Sequence, residues 1–134
     1  MRLVTTAFFA AALAAGIAPA ARAQEAGDAE AGRRVFAQCR ACHLIDNSTR
    51  NGVGPNLYGI WGRRAGLREG FRYSANLQER AAAGLTWDEA TLRAYVANPK
   101  AVLPQGSMTF AGLRNPEQIN NLMAYLQEAT RPQP

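Results

Sequence analysis

Apolar residues recur along much of the chain at the three- and four-residue spacing of an α-helix. The clearest case begins at "NPEQ", where Asn115 can cap a helix and Pro116 fits its first position. The apolar residues that follow have the i, i+3, i+4, i+7 spacing: Ile119, Leu122, Met123 and Leu126. This segment is therefore predicted to be a helix with one buried face.

Two earlier segments predict helices from the same kind of pattern. Asp28 can cap "AEAGRRVFAQC", in which Phe36 and Cys39 fall on one side. Residues 74–83, "SANLQERAAA", predict a shorter helix that ends at Gly84.

A further helix is predicted after "TWDE", residues 86–89, which has the form of a capping box with Leu85 before it. Its buried face would carry Leu92, Tyr95 and Val96, and it must stop before Pro99. No sustained alternation of polar and apolar residues indicates strands. The predicted fold class is therefore all-α, in a single domain.

The N-terminus has the pattern of a secretory signal peptide. Arg2 precedes an apolar run that ends in "ARA", a small-x-small cleavage pattern at residues 21–23. We expect residues 1–23 to be removed and residues 24–134 to form the mature domain in the bacterial periplasm. The alternative is that the segment stays on as an uncleaved anchor, but the run is shorter and richer in alanine than a membrane-spanning helix requires.

The charge of the mature chain is mildly basic. The sequence has 15 basic and 10 acidic residues. Cleavage would remove two arginines and no acid, which leaves 13 basic residues and a net charge of +3. This excess favours electrostatic steering toward an acidic protein partner. Nucleic acid is an unsuitable partner, because the chain is predicted to be exported and has no dense basic run.

Both cysteines and the only histidine lie in "CRACH", residues 39–43. C-x-x-C-H is the pattern of covalent c-type haem attachment. Because residues i and i+3 share a helix face, Cys39 and Cys42 could form thioethers with the two vinyl groups on one haem edge. His43 would then lie under the porphyrin plane and bind iron. The predicted cofactor is one covalently bound haem c.

Three other uses of the cysteines stay open at this point. A zinc site needs four ligands, so carboxylates would have to complete it. A thioredoxin-like redox pair would need a βαβ pattern nearby, whereas the periodicity is helical. A structural disulfide is common in exported proteins. The motif behind a signal peptide favours haem over these three.

The second axial ligand is predicted to be Met108. Met123 lies on the apolar stripe of the last helix, where a core role accounts for it. Met108 instead lies in a loop after Pro104, with no helical pattern around it. A thioether on a loop could reach the face of the haem opposite His43.

Beyond "CRACH", the chain carries a series of motifs in order: "GPNLYGIWGR" at 54–63, "FRYSAN" at 71–76, "LTW" at 85–87, "LRAYVANPK" at 92–100, Pro104 followed by "MTF" at 108–110, and "LMAYLQEAT" at 122–130. In this it resembles the class I cytochromes c of the mitochondrial and small soluble bacterial type, from Gly32 to about Thr130. The resemblance implies four to five helices wrapped around one covalently bound haem.

The resemblance also implies roles for residues around the haem. The Pro55 carbonyl should accept a hydrogen bond from His43, and the Tyr95 hydroxyl should lie near the sulfur of Met108. The expected neighbours of the buried haem propionate are Arg63, Tyr73, Asn76 and Trp87, because a buried carboxylate needs donors or a counter-charge. The expected contact between the first and last helices consists of Gly32, Phe36 and Tyr125.

Two positions before Met108 depart from the family pattern. Gly106 stands where members often have a threonine that binds a propionate, and Ser107 where they have a docking lysine. Arginines at other positions and the single mature lysine, Lys100, replace the usual lysine ring. Docking on the acidic surface of mitochondrial partners is therefore not implied.

The coordination predicts the function. Iron held by histidine and methionine has no open position, and methionine ligation raises its potential. We expect a soluble, monomeric, periplasmic carrier of single electrons between larger membrane-bound redox complexes, and not an enzyme. The alternatives are a dedicated haem c subunit of a periplasmic dehydrogenase and, less favoured, a haem peroxidase or gas sensor.

Overall fold

The computed structural model describes residues 26–132 as helices joined by long loops. The helices are α1 (Ala29–Phe36), α2 (Ala75–Ala82), α3 (Glu89–Ala97), α4 (Pro99–Val102) and α5 (Pro116–Ala129). Over residues 26–132, none of them is long and apolar enough to cross a membrane. The predicted all-α fold is confirmed; the predicted signal peptide, residues 1–23, lies outside the described residues.

Helices α1 and α5 pack closely because a glycine lies where they meet. A Cβ atom at Gly32 would overlap the backbone carbonyl of Asn121, so a larger residue would push the helices apart. The ring centroids of Phe36 and Tyr125 lie 5.4 Å apart beside this contact. The predicted contact between the first and last helices is thus confirmed.

The buried apolar core draws on every helix except α4 and on the loops between them. Its members are Phe36, Ile60, Ala65, Leu77, Trp87, Leu92, Leu103, Leu113, Leu122, Met123 and Leu126. Burial of such side chains is the main favourable term in folding.

Polar side chains begin the helices as expected, with one exception. The predicted caps Asp28 and Asn115 accept hydrogen bonds from backbone N–H groups of the first turns of α1 and α5, and Ser74 caps α2. The prediction that "TWDE" forms a capping box is wrong. Asp88 caps α3 by accepting from the Thr91 N–H at 2.8 Å.

The backbone before α3 is engaged elsewhere, which explains the shifted cap. The Trp87 N–H donates to the Arg63 carbonyl at 2.8 Å, and the Gly62 N–H donates to the Trp87 carbonyl at 2.9 Å. Because these bonds hold residues 86 and 87 extended beside residues 62–64, the helix begins only at Glu89.

One other helix boundary differs from the predictions, and one helix was not predicted at all. Helix α1 ends at Phe36 rather than at Cys39, because the Ala37 N–H bonds to the Arg34 carbonyl and tightens the chain into turns. Helix α4 was not predicted. It follows Asn98, whose side chain accepts from the Ala101 N–H at 3.2 Å.

Candidate cofactor site

The two cysteines and the histidine share one tight turn directly after α1. The Cys39 carbonyl accepts hydrogen bonds from the N–H groups of Cys42 at 3.1 Å and His43 at 3.0 Å. Cys42 is exposed, whereas Cys39 is half-buried, and burial raises the pKa of the Cys39 thiol to about 11. The turn therefore presents two thiols and an imidazole from five consecutive residues, at the edge of the core.

The structure gives no support to the other uses of the cysteines. Cys39 and Cys42 are not joined by a disulfide. Residues 26–132 hold no group of three histidine, cysteine or acidic side chains that could bind a metal ion, as a zinc site would need. Extended structure in the same range is limited to one isolated bridge, so a βαβ unit is absent there.

The His43 ring is held in one orientation. Its Nδ1 atom lies 2.8 Å from the Pro55 carbonyl oxygen, so the predicted hydrogen bond is present. Gly54 lies against the ring, where a Cβ atom would overlap it. Burial lowers the pKa of His43, although the Pro55 hydrogen bond opposes this shift. A neutral ring that donates from Nδ1 has Nε2 available for a metal.

A fully buried asparagine holds the segment that carries Pro55. The Asn56 side chain donates to the Asp46 carbonyl at 3.0 Å and accepts from the Tyr58 N–H at 2.9 Å. Its own N–H donates to the Asn51 side-chain oxygen at 2.9 Å. Pro55 is a predicted site residue in this segment, whereas Gly54 and Asn56 are not, and no local pattern marks Asn56 as buried.

Two of the four predicted propionate neighbours, Arg63 and Trp87, are joined through their backbones. Arg63 also donates from Nη1 to the Tyr58 carbonyl at 3.0 Å, but its buried Nε has no hydrogen-bond partner among the described residues. A buried donor without an acceptor costs free energy. A haem propionate would supply the missing acceptor, so Arg63 fits the cofactor that the cysteine turn predicts.

The other two predicted neighbours, Tyr73 and Asn76, have their own partners. The Tyr73 hydroxyl accepts from the Arg68 N–H at 3.2 Å, and burial raises the pKa of Tyr73. The Asn76 side-chain oxygen accepts from the Gln105 N–H at 3.1 Å, in the loop that leads to Met108. The amide nitrogen of Asn76 is the group left to serve as a donor.

The loop before Met108 is fastened at a second point by Lys100, the single lysine of the sequence. Lys100 Nζ donates to the Gly106 carbonyl at 2.6 Å. Met108 itself is half-buried, whereas Met123 is 2% exposed and lies in the core, as predicted. The two methionines therefore occupy different environments, and only Met108 lies on a loop with solvent access.

Tyr95 packs against Trp87, with ring centroids 5.0 Å apart, and burial raises the pKa of Tyr95. The contact predicted between Tyr95 and Met108 stays a prediction.

Comparison with known proteins gives a consistent result. Residues 29–130 match the family model for cytochrome c. The chain is 48% identical over 104 residues to cytochrome c2 of Rhodoblastus acidophilus, which covers 77% of this chain and 94% of that protein. It is 45% identical over 103 residues to cytochrome c-550 of Nitrobacter winogradskyi, covering 76% of this chain and 91% of that protein.

A solved cytochrome structure is also similar to this chain. Cytochrome cH from Methylobacterium extorquens has a TM-score of 0.68 and 41% identity to this chain, and the match covers 75% of this chain and 98% of that one. With the cysteine turn, the oriented histidine and the all-α fold, these matches show that the chain belongs to the class I cytochrome c family.

Proposed function

We propose that this chain is a periplasmic carrier of single electrons, that its iron is ligated by His43 and Met108, and that it is not an enzyme. The observation that carries the proposal is the "CRACH" turn, in which His43 donates to Pro55 and keeps Nε2 available. The relatives named cytochrome c2 and cytochrome c-550 match over nearly their whole length, which favours a carrier over a dehydrogenase subunit.

The chain holds one covalently bound haem c, whose iron takes up and releases a single electron. Cys39 and Cys42 would attach it through thioethers, and both thiols lie on one turn with His43. His43 and Met108 would fill the two axial positions, so no site for a substrate would be open on the iron. This ligand pair favours electron transfer over oxygen chemistry.

The four predicted propionate neighbours would neutralise and bury the carboxylate. Arg63 would donate from its unpartnered Nε, and Tyr73 would donate its hydroxyl proton while it accepts from Arg68. Asn76 would donate from its amide nitrogen, and Trp87 from its indole N–H. Donors that are already fixed in place need to reorient little when the iron changes charge, and this keeps the electron transfer fast.

Electron transfer would take place at the surface around the cysteine turn. Cys42 is exposed, as are Arg40 and Ala41 between the two cysteines and Val53 in the loop that follows. A partner with an acidic surface around an apolar centre would complement this face. We propose that donor and acceptor are larger redox complexes that bind this monomer transiently, and that residues 1–23 export it before they are removed.

The test compares the two methionines of the mature chain. Holoprotein is purified from the periplasm as wild type, Met108→Ala and Met123→Leu, and its visible spectrum, redox midpoint and carbon monoxide binding are measured. We expect Met108→Ala to change the spectrum, lower the midpoint and bind carbon monoxide. Met123→Leu should keep all three wild-type properties, because the change conserves volume in the core.

Two results would overturn the proposal. One is a wild-type spectrum and midpoint in Met108→Ala. The other is rapid carbon monoxide binding by the wild type, which would favour a sensor or peroxidase with an open iron position.

A further inference from the structure

Arg68 connects two loops that each carry predicted site residues. We call residues 46–56, which include Pro55, the proximal loop, and residues 63–74, which precede α2 and carry two of the predicted propionate neighbours, the propionate loop. Arg68 lies in the propionate loop and is half-buried. Its guanidinium donates to three acceptors of the proximal loop: the Ser48 carbonyl, the Arg50 carbonyl at 3.4 Å and the Asn51 side-chain oxygen at 3.3 Å.

Further hydrogen bonds extend from this contact toward Tyr73 and toward Asn56. On one side, the Arg68 N–H donates to the Tyr73 hydroxyl at 3.2 Å. On the other, the same Asn51 oxygen accepts from the Asn56 N–H at 2.9 Å, and the Asn51 amide donates to the Glu69 carbonyl at 2.9 Å. A hydrogen-bonded path therefore runs from Tyr73 through Arg68 and Asn51 to Asn56.

This path ends next to the histidine. The amide N–H of Asn56 belongs to the same peptide unit as the Pro55 carbonyl, which accepts from His43 Nδ1 at 2.8 Å. A peptide unit is planar and rigid, so a restraint on its N–H also restrains the direction of its carbonyl. Holding the Asn56 N–H thus holds the acceptor that orients the imidazole.

We propose that Arg68 is a positioning residue: it fastens the proximal loop to the propionate loop and thereby fixes the Pro55 carbonyl against His43. The proposal rests on the proposed ligation of iron by His43. When a ligand histidine donates a hydrogen bond, its imidazole becomes more basic and favours ferric iron. If the Pro55 carbonyl were held less firmly, that bond would weaken and the redox midpoint potential would rise.

The role calls for arginine rather than for positive charge alone. A guanidinium presents several N–H donors in a planar fork and can reach three acceptors at once. A lysine ammonium at this position would keep the charge but could not span the same three groups. Arg68→Lys therefore separates the loss of the fork from the loss of charge.

The test measures hydrogen exchange by NMR in reduced holoprotein, as wild type, Arg68→Lys, Arg68→Gln and the control Arg72→Gln, which removes a nearby exposed arginine. The reporters are the Asn56 amide proton and the His43 Nδ1 proton in the path, and the Leu122 and Leu126 amide protons in α5. Local opening of the proximal loop accelerates exchange of the Asn56 and His43 protons alone, whereas global unfolding also accelerates exchange of the α5 amide protons.

We expect both Arg68 variants to accelerate exchange of the Asn56 and His43 protons by at least about tenfold, because bonds to a charged donor are lost. The α5 amides and the Arg72→Gln protein should exchange at wild-type rates, and Arg68→Lys should raise the redox midpoint. The proposal is overturned if the Asn56 and His43 protons keep wild-type rates in both Arg68 variants, if the α5 amides accelerate equally, or if the Arg68→Lys midpoint is unchanged.

These results are independent of the methionine test. A visible spectrum that is the same in Met108→Ala as in the wild type would refute the proposed ligation. Wild-type hydrogen-exchange rates in the Arg68 variants would refute only the positioning role.

Discussion

The Nδ1 atom of His43 lies 2.8 Å from the carbonyl oxygen of Pro55. The His43 ring also contacts Gly54, the residue that precedes Pro55. One dipeptide thus supplies both the acceptor that fixes the ring's rotation and the flat surface that supports it. The Gly54 N–H also donates to the Cys42 carbonyl at 2.9 Å, which ties the dipeptide to the cysteine turn. Pro55 and Gly54 together therefore fix the orientation of the His43 ring.

Gly54→Ala should weaken this arrangement. Its Cβ atom would overlap the His43 ring, which must then move away from Pro55. We expect the free energy of unfolding to fall by roughly 1–3 kcal/mol, the usual cost of overpacking. Urea unfolding of the holoprotein, followed by haem absorbance, measures this.

The control for that change is Val53→Ala at the neighbouring position, where the side chain is 81% exposed. It should change the stability by less than about 0.5 kcal/mol. Equal stabilities for Gly54→Ala and Val53→Ala would show that the ring does not rest on Gly54.

Gly32→Ala should separate α1 from α5. The added Cβ would overlap the Asn121 carbonyl, a backbone atom that cannot rotate aside, so one helix must shift. We expect a loss of roughly 1–3 kcal/mol, although alanine favours the helix itself. Arg34→Ala, on the exposed face of α1, serves as the control and should have little effect. Unchanged urea midpoints in both variants would mean that the helices tolerate a wider separation.

The helices could be predicted from the sequence because their signals are local. Asn115 and Pro116 mark the start of α5 within two residues, and the apolar stripe that follows needs no distant partner. Asn98 and Pro99 have the same form before α4. That helix was missed because it spans only four residues, which show no periodicity.

The errors and omissions in the site have long-range causes. Thr86 was expected to cap α3, but residues 86 and 87 pair with the backbone of residues 62–64, which no local pattern announces. No local pattern singles out Arg68, and its proposed role depends on carbonyl groups about twenty residues earlier in the chain. Sequence periodicity carries no information about contacts of this kind.

The cap of α3 should make part of the stability depend on pH. The Thr91 N–H and side chain hold the pKa of Asp88 below its usual value of 3.8. Because the folded pKa is the lower one, this stabilisation is present above about pH 3.8 and is lost as the pH falls through the folded pKa. Asp88→Asn keeps the cap without the charge.

The comparison is between the thermal unfolding temperatures of wild type and Asp88→Asn, from pH 7 down to pH 3. The wild type should be the more stable protein at pH 7, and its advantage should shrink on acidification. Glu79→Gln, which removes an exposed acid from α2, should show no such trend. A difference between wild type and Asp88→Asn that stays constant with pH would contradict the assignment.

Arg63→Gln should lower the redox midpoint. The buried Nε of Arg63 has no acceptor among the described residues, and we expect a propionate to provide one. A positive charge near the iron disfavours the ferric state, so removing it should stabilise that state by an amount on the order of 1 kcal/mol, since the guanidinium is only half-buried. A redox titration of the holoprotein measures the midpoint potential.

The same variant should make the midpoint depend more strongly on pH. An arginine beside a carboxyl group lowers the pKa of that group, so its removal raises the pKa toward neutrality. As the pH rises through the new pKa, the carboxylate forms, stabilises ferric iron and lowers the midpoint further. Arg64→Gln is the matched control, because its guanidinium binds the Ala81 carbonyl at the end of α2 instead. If both variants gave the wild-type midpoint at every pH from 5 to 8, Arg63 would have no propionate beside it, and its buried Nε would need another partner.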